Sequence, residues 1–408
     1  MNGGASIRPE TDTAGTAGSL VRLLDRAPEG WRLALDQRYP VLDDVLTGRR
    51  RAVIYPAARM GREAARGLIA MGVQVVAFGD QDPTLQSSLI DGLPVLSPSE
   101  VFASHREDAI LVSSTMHDSA IREELEARGC KWVLPVGYLN LRLPAVFGAR
   151  EYDGASSAAA DPANRADIEE AFSLLGDWES RRVFEGKLEY YLGLDKGRLD
   201  DIRSATTMYF DRSVYELGSE EVVVDGGAYV GDTLSSFLDH SAGRFRSYVA
   251  FEPDPSSFER LAAVAAHDPS RISAVQAGLA RATSRARLLS TQGADSRLLH
   301  GDESGGEDVS VVGLDEYFQD QRAPTLIKMD IEGAEADALL GASDLLRASL
   351  PTLAISAYHF PTDLWSIPLL LSQLVPGHRL FLRHYTREID DTVCYAIPAR
   401  SAHGKSHT

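Results

Sequence analysis

Val222-Val223-Val224-Asp225-Gly226-Gly227-Ala228-Tyr229-Val230-Gly231-Asp232-Thr233 decides how this chain folds. Three β-branched residues predict a buried strand. Asp225 closes it, and a glycine-rich turn leads into a helix starting near Thr233. Such a turn lets backbone N–H groups and a helix N-terminus approach a ligand closely. No Gly-Lys-Ser/Thr follows, so it is not a phosphate loop. Gly226, Gly227 and Gly231 also miss the G-x-G-x-x-G spacing of dinucleotide sites. A carboxylate at the strand end repels a pyrophosphate and pairs well with an amino group.

Two further strand ends extend the pattern. Tyr248-Val249-Ala250-Phe251 runs into Glu252-Pro253-Asp254. An acid at the end of the second strand of a doubly wound sheet accepts hydrogen bonds from ribose hydroxyls. Ammonium and ribose together point to S-adenosylmethionine (SAM). Thr325-Leu326-Ile327-Lys328-Met329-Asp330-Ile331-Glu332-Gly333-Ala334-Glu335 is a strand ending in three carboxylates and a lysine. Like charges this close repel unless a cation or donors meet them.

Strand-end position assigns the expected roles. Asp225 is the candidate for the SAM ammonium, directly or through water. Gly226, Gly227, Ala228 and Gly231 shape the loop, Glu252 takes the ribose, and Gln276, ending the third strand, is the adenine contact. Asp330 and His359 close neighbouring strands and are the candidates for chemistry. His359 has the right ordinary pKa for a base at neutral pH. Asp330 with Glu332 could hold Mg²⁺, which favours carboxylate oxygens. Glu335 suits the first turn of the next helix, and Lys328 neutralises the cluster. Tyr209, Phe210, Tyr229 and Glu332 are expected on the acceptor side.

These stretches resemble the FkbM-type family of SAM-dependent methyltransferases over roughly residues 170–398. Lys328-Met329-Asp330-Ile331-Glu332-Gly333-Ala334-Glu335 is the most family-specific of them. Tyr209-Phe210-Asp211, Ser356-Ala357-Tyr358-His359 and Thr392-Val393-Cys394-Tyr395-Ala396-Ile397-Pro398 agree with it. The resemblance implies an α/β chain with a class I (Rossmann-like) methyltransferase domain. It further implies O-methylation of a hydroxyl on a sugar, glycan or polyketide-type product. The alternatives are N- or C-methylation on the same scaffold, or a non-catalytic SAM-binding role in glycan assembly.

The front half reads as a smaller Rossmann-like α/β domain over 19–150. Its strands are 51–55, 73–78, 109–113 and 131–135, with a hairpin-like segment at 90–96. Its turn, Tyr55-Pro56-Ala57-Ala58-Arg59-Met60-Gly61, resembles the glycine loop of sugar-nucleotide-modifying proteins. Pro56 and Ala58 replace the first two glycines, and only Gly61 survives. Asp80 stands at the ribose position, but an accessory role is the expectation. Residues 1–18 read as a disordered tail and 151–166 as a linker. A helical lead-in at 167–200 is expected to belong to the methyltransferase domain, 167–408. Eight strands are expected in that domain: 221–225, 247–252, 271–276, 309–312, 325–330, 352–357, 378–383 and 392–397. A polar, glycine-bearing loop covers 290–308.

At 408 residues the chain has room for two domains. Its net charge of −18 argues against nucleic acid and anionic membrane surfaces. The basic clusters Arg49-Arg50-Arg51 and Arg181-Arg182 read as solvated faces. Cys130 and Cys394 form no metal or redox spacing. No signal peptide or membrane-spanning run is evident, which predicts a soluble, cytoplasmic protein. The expected partner is a small-molecule or glycan acceptor.

Overall fold

The computed structural model describes residues 13–26, 28–114, 117–147, 155–289, 296–298, 305–360 and 362–399. Contacts divide the chain into two compact units. The first is Met1–Ser173 with Asp177–Asp201, and the second is Leu174–Gly176 with Ile202–Thr408.

The first unit holds β1 (Ala52–Tyr55), β2 (Val75–Gly79), β3 (Leu89–Ile90), β4 (Leu93–Leu96), β5 (Ala109–Val112) and β6 (Trp132–Pro135). They form one sheet in the order β3-β4-β2-β1-β5-β6. All pairings are parallel except the β3–β4 hairpin. The apolar runs in β1 and β5 are buried throughout, as strands covered on both faces must be.

The expected nucleotide turn is closed by the protein's own groups. Asp80 Oδ2 accepts from the Ala57 N–H at 2.9 Å, and Asp80 Oδ1 accepts from the Asp82 N–H at 2.9 Å. Gly61 is required here. A Cβ would lie 2.4 Å from the Pro56 carbonyl and 2.6 Å from Ser113 Oγ.

Three boundaries differ from expectation. Residues 1–12 of the predicted tail lie outside the described residues, but Thr13–Asp25 is helical. Residues 155–166 of the predicted linker are ordered as helix Ala155–Ala160, the 3₁₀ turn Pro162–Asn164 and the start of helix Arg165–Leu174. Alanine favours helix as much as it fits a linker, and composition does not separate the two. The lead-in helix Trp178–Gly193 packs on helices of the first unit: Thr13–Asp25, Pro28–Arg38 and Ala155–Ala160. Only Leu174–Gly176 joins the second unit, where the Gly176 N–H bonds the Leu380 carbonyl at 2.7 Å.

The second unit contains β7 (Val222–Gly226), β8 (Ser247–Phe251), β9 (Ile272–Val275), β10 (Gly278–Leu279), β11 (Ser284–Leu289), β12 (Arg297–Leu298), β13 (Glu307–Val312), β14 (Leu326–Met329), β15 (Thr352–Ser356), β16 (His378–His384) and β17 (Thr392–Pro398). Seven of them form the main sheet, ordered β16-β17-β15-β14-β7-β8-β9. β17 is antiparallel to both neighbours, and the other pairings are parallel. The order reverses at β7, so the carboxyl ends of β7 and β14 open on a crevice. This is the expected class I layout. The predicted strand at 309–312 instead belongs to a second sheet, β10-β13-β11-β12. Most of the expected 290–308 loop lies outside the described residues. Its described parts include β12.

Candidate active site

A cavity opens at the carboxyl ends of β7, β8 and β14. Gly227, Tyr229, Asp232 and Thr233 wall it on the first side, and Glu252, Pro253 and Ser257 on the next. Lys328, Asp330, Ile331, Glu332 and Ala334 line it from the end of β14. Met208, Tyr209 and the apolar side chains of Leu279, Leu288 and Leu298 complete it.

The glycine loop is built for close approach. Gly227 has φ +72°, and a Cβ there would lie 1.8 Å from the Asp330 carbonyl oxygen. The Gly227 and Ala228 N–H groups bond the Phe251 carbonyl at 3.1 and 3.0 Å, tying the turn to β8. Gly226, Ala228 and Gly231 therefore support the loop from behind rather than line the cavity.

Asp225 is placed differently from its expected role. It is fully buried and does not reach the cavity. Lys328 is its partner across the β7–β14 pairing, with Nζ 2.9 Å from Asp225 Oδ1. The Tyr248 hydroxyl donates to Asp225 Oδ2 at 2.7 Å. The same ammonium donates to the Gly226 and Gly227 carbonyls at 3.1 and 2.8 Å. Burial alone would lower the Lys328 pKa, but Asp225 and Asp330 outweigh it and raise the value. Asp225 thus holds the loop through Lys328, and this lysine neutralises Asp225 before the 330–335 cluster.

Glu252 stands where its strand-end position put it. Its Oε2 accepts from the Tyr229 N–H at 2.9 Å and its Oε1 from the Asp254 N–H at 2.8 Å. Burial pushes its pKa up to about 7 despite these two donors. Gln276 is exposed and does not line the cavity. The chain turns after β9, and Leu279 of β10 occupies the wall instead. Phe210 is also absent from the wall. It packs in the core against Phe237, ring centroids 5.7 Å apart.

Asp330 lies on the wall in a fixed frame. Tyr209 donates to its Oδ2 at 2.7 Å and Tyr358 to its Oδ1 at 3.0 Å. Burial would raise its pKa, but His359, Lys328 and the hydroxyl donors hold it below the ordinary value. Tyr209 is itself held in the left-handed region, φ +65°. Its N–H bonds Tyr395 Oη at 3.0 Å, and its carbonyl accepts from Tyr215 at 2.6 Å. Tyr229 (φ +45°) and Glu332 (φ +54°) share this costly conformation on the same wall. Bulky residues keep it only where surrounding structure enforces it, and such strain collects at functional sites.

His359 does not line the cavity and is 4% exposed. Its Nε2 lies 3.3 Å from Asp330 Oδ1 and 3.7 Å from Glu332 Oε2, and its Nδ1 lies 3.0 Å from Glu335 Oε1. Burial would lower its pKa, but the three carboxylates raise it to about 10. The raised value favours the protonated ring, which is not the form the expected base needs. The expected Asp330–Glu332 metal pair is also revised. The side chains whose ligand atoms converge are Asp330, Glu335 and His359.

Sequence reasoning gave no role to Asp232, Leu279 or Leu298. Asp232 stood in the glycine motif and could have been found there. The two leucines carry no sequence signal, because the small sheet brings them to the wall.

Residues 225–389 match the methyltransferase FkbM domain model. The second unit therefore carries an FkbM-family methyltransferase domain. A methyltransferase FkbM from Methylobacillus flagellatus shares the fold, with a TM-score of 0.71 and 23% identity over 94% of this chain and 100% of that one. Two weaker overlaps are a UDP-D-quinovosamine 4-dehydrogenase from Vibrio fischeri and the Aeropyrum pernix fibrillarin. The first has a TM-score of 0.20 and 22% identity over 24% of this chain and 88% of that one. The second has a TM-score of 0.30 and 12% identity over 45% and 69%. No curated protein matches the chain significantly.

Proposed function

We propose that this FkbM methyltransferase domain transfers the methyl group of SAM to a hydroxyl of a sugar, glycan or polyketide-type acceptor. The observation that carries the reading is one cavity lined together by Glu252, the Gly227 turn and Asp330. Glu252 would accept from the ribose hydroxyls, and Leu279, Leu288 and Leu298 offer an apolar slot for the adenine. The ammonium, out of reach of Asp225, is left to the wall carboxylates, of which Asp232 stands in the same loop. Tyr209 and Tyr229 offer aromatic surface to the sulfonium.

On the acceptor side Asp330 would take the hydroxyl's hydrogen bond. As the oxygen attacks in line, the C–O bond forms and the C–S bond breaks. Its electron pair stays on sulfur, leaving S-adenosylhomocysteine, and the hydroxyl proton passes to Asp330. Holding these groups in line supplies much of the rate in such displacements. His359 acts by positioning Asp330, not by taking the proton.

Calorimetry with SAM and S-adenosylhomocysteine tests the cofactor half. Glu252→Ala should weaken binding by about 1.5–3 kcal/mol, the loss of hydrogen bonds to a charged group. No binding by the wild-type protein at millimolar ligand would sink the reading. Release of S-adenosylhomocysteine with a panel of hydroxylated acceptors tests the other half, and turnover only with amines would overturn it.

A further inference from the structure

His359 is the odd group at the ends of β14 and β15. It is buried, and both ring nitrogens lie within ion-pair range of carboxylates, yet neither nitrogen makes an aligned hydrogen bond. One oxygen of Asp330, one of Glu335 and one His359 nitrogen lie within 4.8 Å of one another. Ligands at roughly 2.0–2.3 Å from a common ion stand that close.

We propose that Asp330, Glu335 and His359 form a binding site for a divalent transition-metal ion, with Mn²⁺ as the type. The donor set decides the class. One imidazole with two carboxylates suits Mn²⁺ and its heavier neighbours. Mg²⁺ sheds water reluctantly and is held mainly through oxygen, so it suits this set less well. The supporting groups are in place. Tyr209 and Tyr358 orient Asp330, and the Ile331 N–H donates to Glu335 Oε1 at 2.7 Å. Such outer contacts fix the direction of metal ligands. Glu335 is 1% exposed and opens the first turn of helix Glu335–Leu340, while Asp330 faces the cavity. The ion would thus be closed on the protein side and open toward the acceptor. Its use rests on the methyl-transfer reading: a metal there would lower the pKa of an acceptor hydroxyl bound beside it.

The test needs no acceptor. The full chain, stripped with chelator, is titrated with Mn²⁺, and free Mn²⁺ is followed by electron paramagnetic resonance. The expected result is one tight Mn²⁺ per chain, weakened at least 10-fold in His359→Ala and in Glu335→Gln. Circular dichroism checks that both variants fold. Should they not, competition on the wild-type protein decides, with Mn²⁺ preferred over Mg²⁺ at least 10-fold. No bound Mn²⁺ at millimolar concentration, equal affinity in folded variants, or equal affinity for Mg²⁺ overturns the site. Calorimetry with S-adenosylhomocysteine on the same samples separates the two claims. Intact binding without Mn²⁺ removes only the metal site, and absent binding removes the methyl-transfer reading.

Discussion

Glu252 is a buried carboxyl on the cavity wall whose proton is held by its surroundings. Its pKa stands at about 7, raised from 4.5 chiefly by burial. The folded protein therefore binds this proton more tightly than the unfolded chain. Stability from this group is fully present below about pH 4.5 and is lost as pH rises through about 7. On the proposed reading cofactor binding would run the other way, because the ionised carboxylate is the better acceptor for ribose hydroxyls. Affinity for S-adenosylhomocysteine should rise from pH 6 to 8, while the Glu252 contribution to the melting temperature falls. Glu252→Gln should flatten both profiles. A wild-type affinity that does not change with pH would show that the ribose is held elsewhere. His359 is the opposite case at the same scale. A lone histidine in a loop reads as a base from its ordinary pKa, and only the structure shows the three converging carboxylates that raise it.

At the scale of elements, the β7–β14 pairing does what neither strand can do alone. Register sets Lys328 opposite Asp225, and the pair then holds two carbonyls of the glycine turn. Lys328→Met should leave Asp225 buried and unpaired, at a cost of about 3–5 kcal/mol. Denaturant unfolding measures it directly. Cofactor binding should fall with it, because the turn loses its tether. A loss under about 1 kcal/mol would mean that Tyr248 alone suffices for Asp225. The acidic ends of β7 and β8 were legible from sequence because a strand end after an apolar run is a local signal. The Lys328 partner was not, because parallel pairing joins residues far apart in the chain. The small sheet β10-β13-β11-β12 was missed for a similar reason. β10 and β12 span two residues each, and β11 and β13 are partly exposed, so they carry little apolar pattern.

The whole molecule joins a methyltransferase unit to a Rossmann-like unit whose nucleotide turn is filled from within. Asp80 takes the Ala57 N–H that a phosphate would need, and Pro56 has no N–H to offer. Thermal melts with NAD, NADP or a uridine diphosphate sugar at 1 mM should show no stabilisation of the full chain. A shift of several degrees, which mass action requires of a ligand well above its Kd, would restore a nucleotide site to this unit. The described residues include no helix long and apolar enough to cross a membrane. The alternating strands and helices of the front half were readable because each element is short, buried and bounded by turn residues. The unit to which the 165–201 helices belong was not, since amphipathic spacing shows that a face is buried and not what buries it.

What the sequence by itself determined is the set of local signals: the buried strands, the glycine turn, the acids that end β7, β8 and β14, and the family they resemble. Each follows from hydrophobic period and backbone freedom within a few residues. Only the tertiary structure decided which of those acids lines the cavity. Asp225 turned inward because Lys328 lies beside it, Gln276 was replaced at the wall by Leu279, and His359 was brought among Asp330, Glu332 and Glu335. Those outcomes depend on burial and on charges brought together across the sheet, and Coulomb energy in a poorly solvated interior is set by distances that no local stretch of sequence contains.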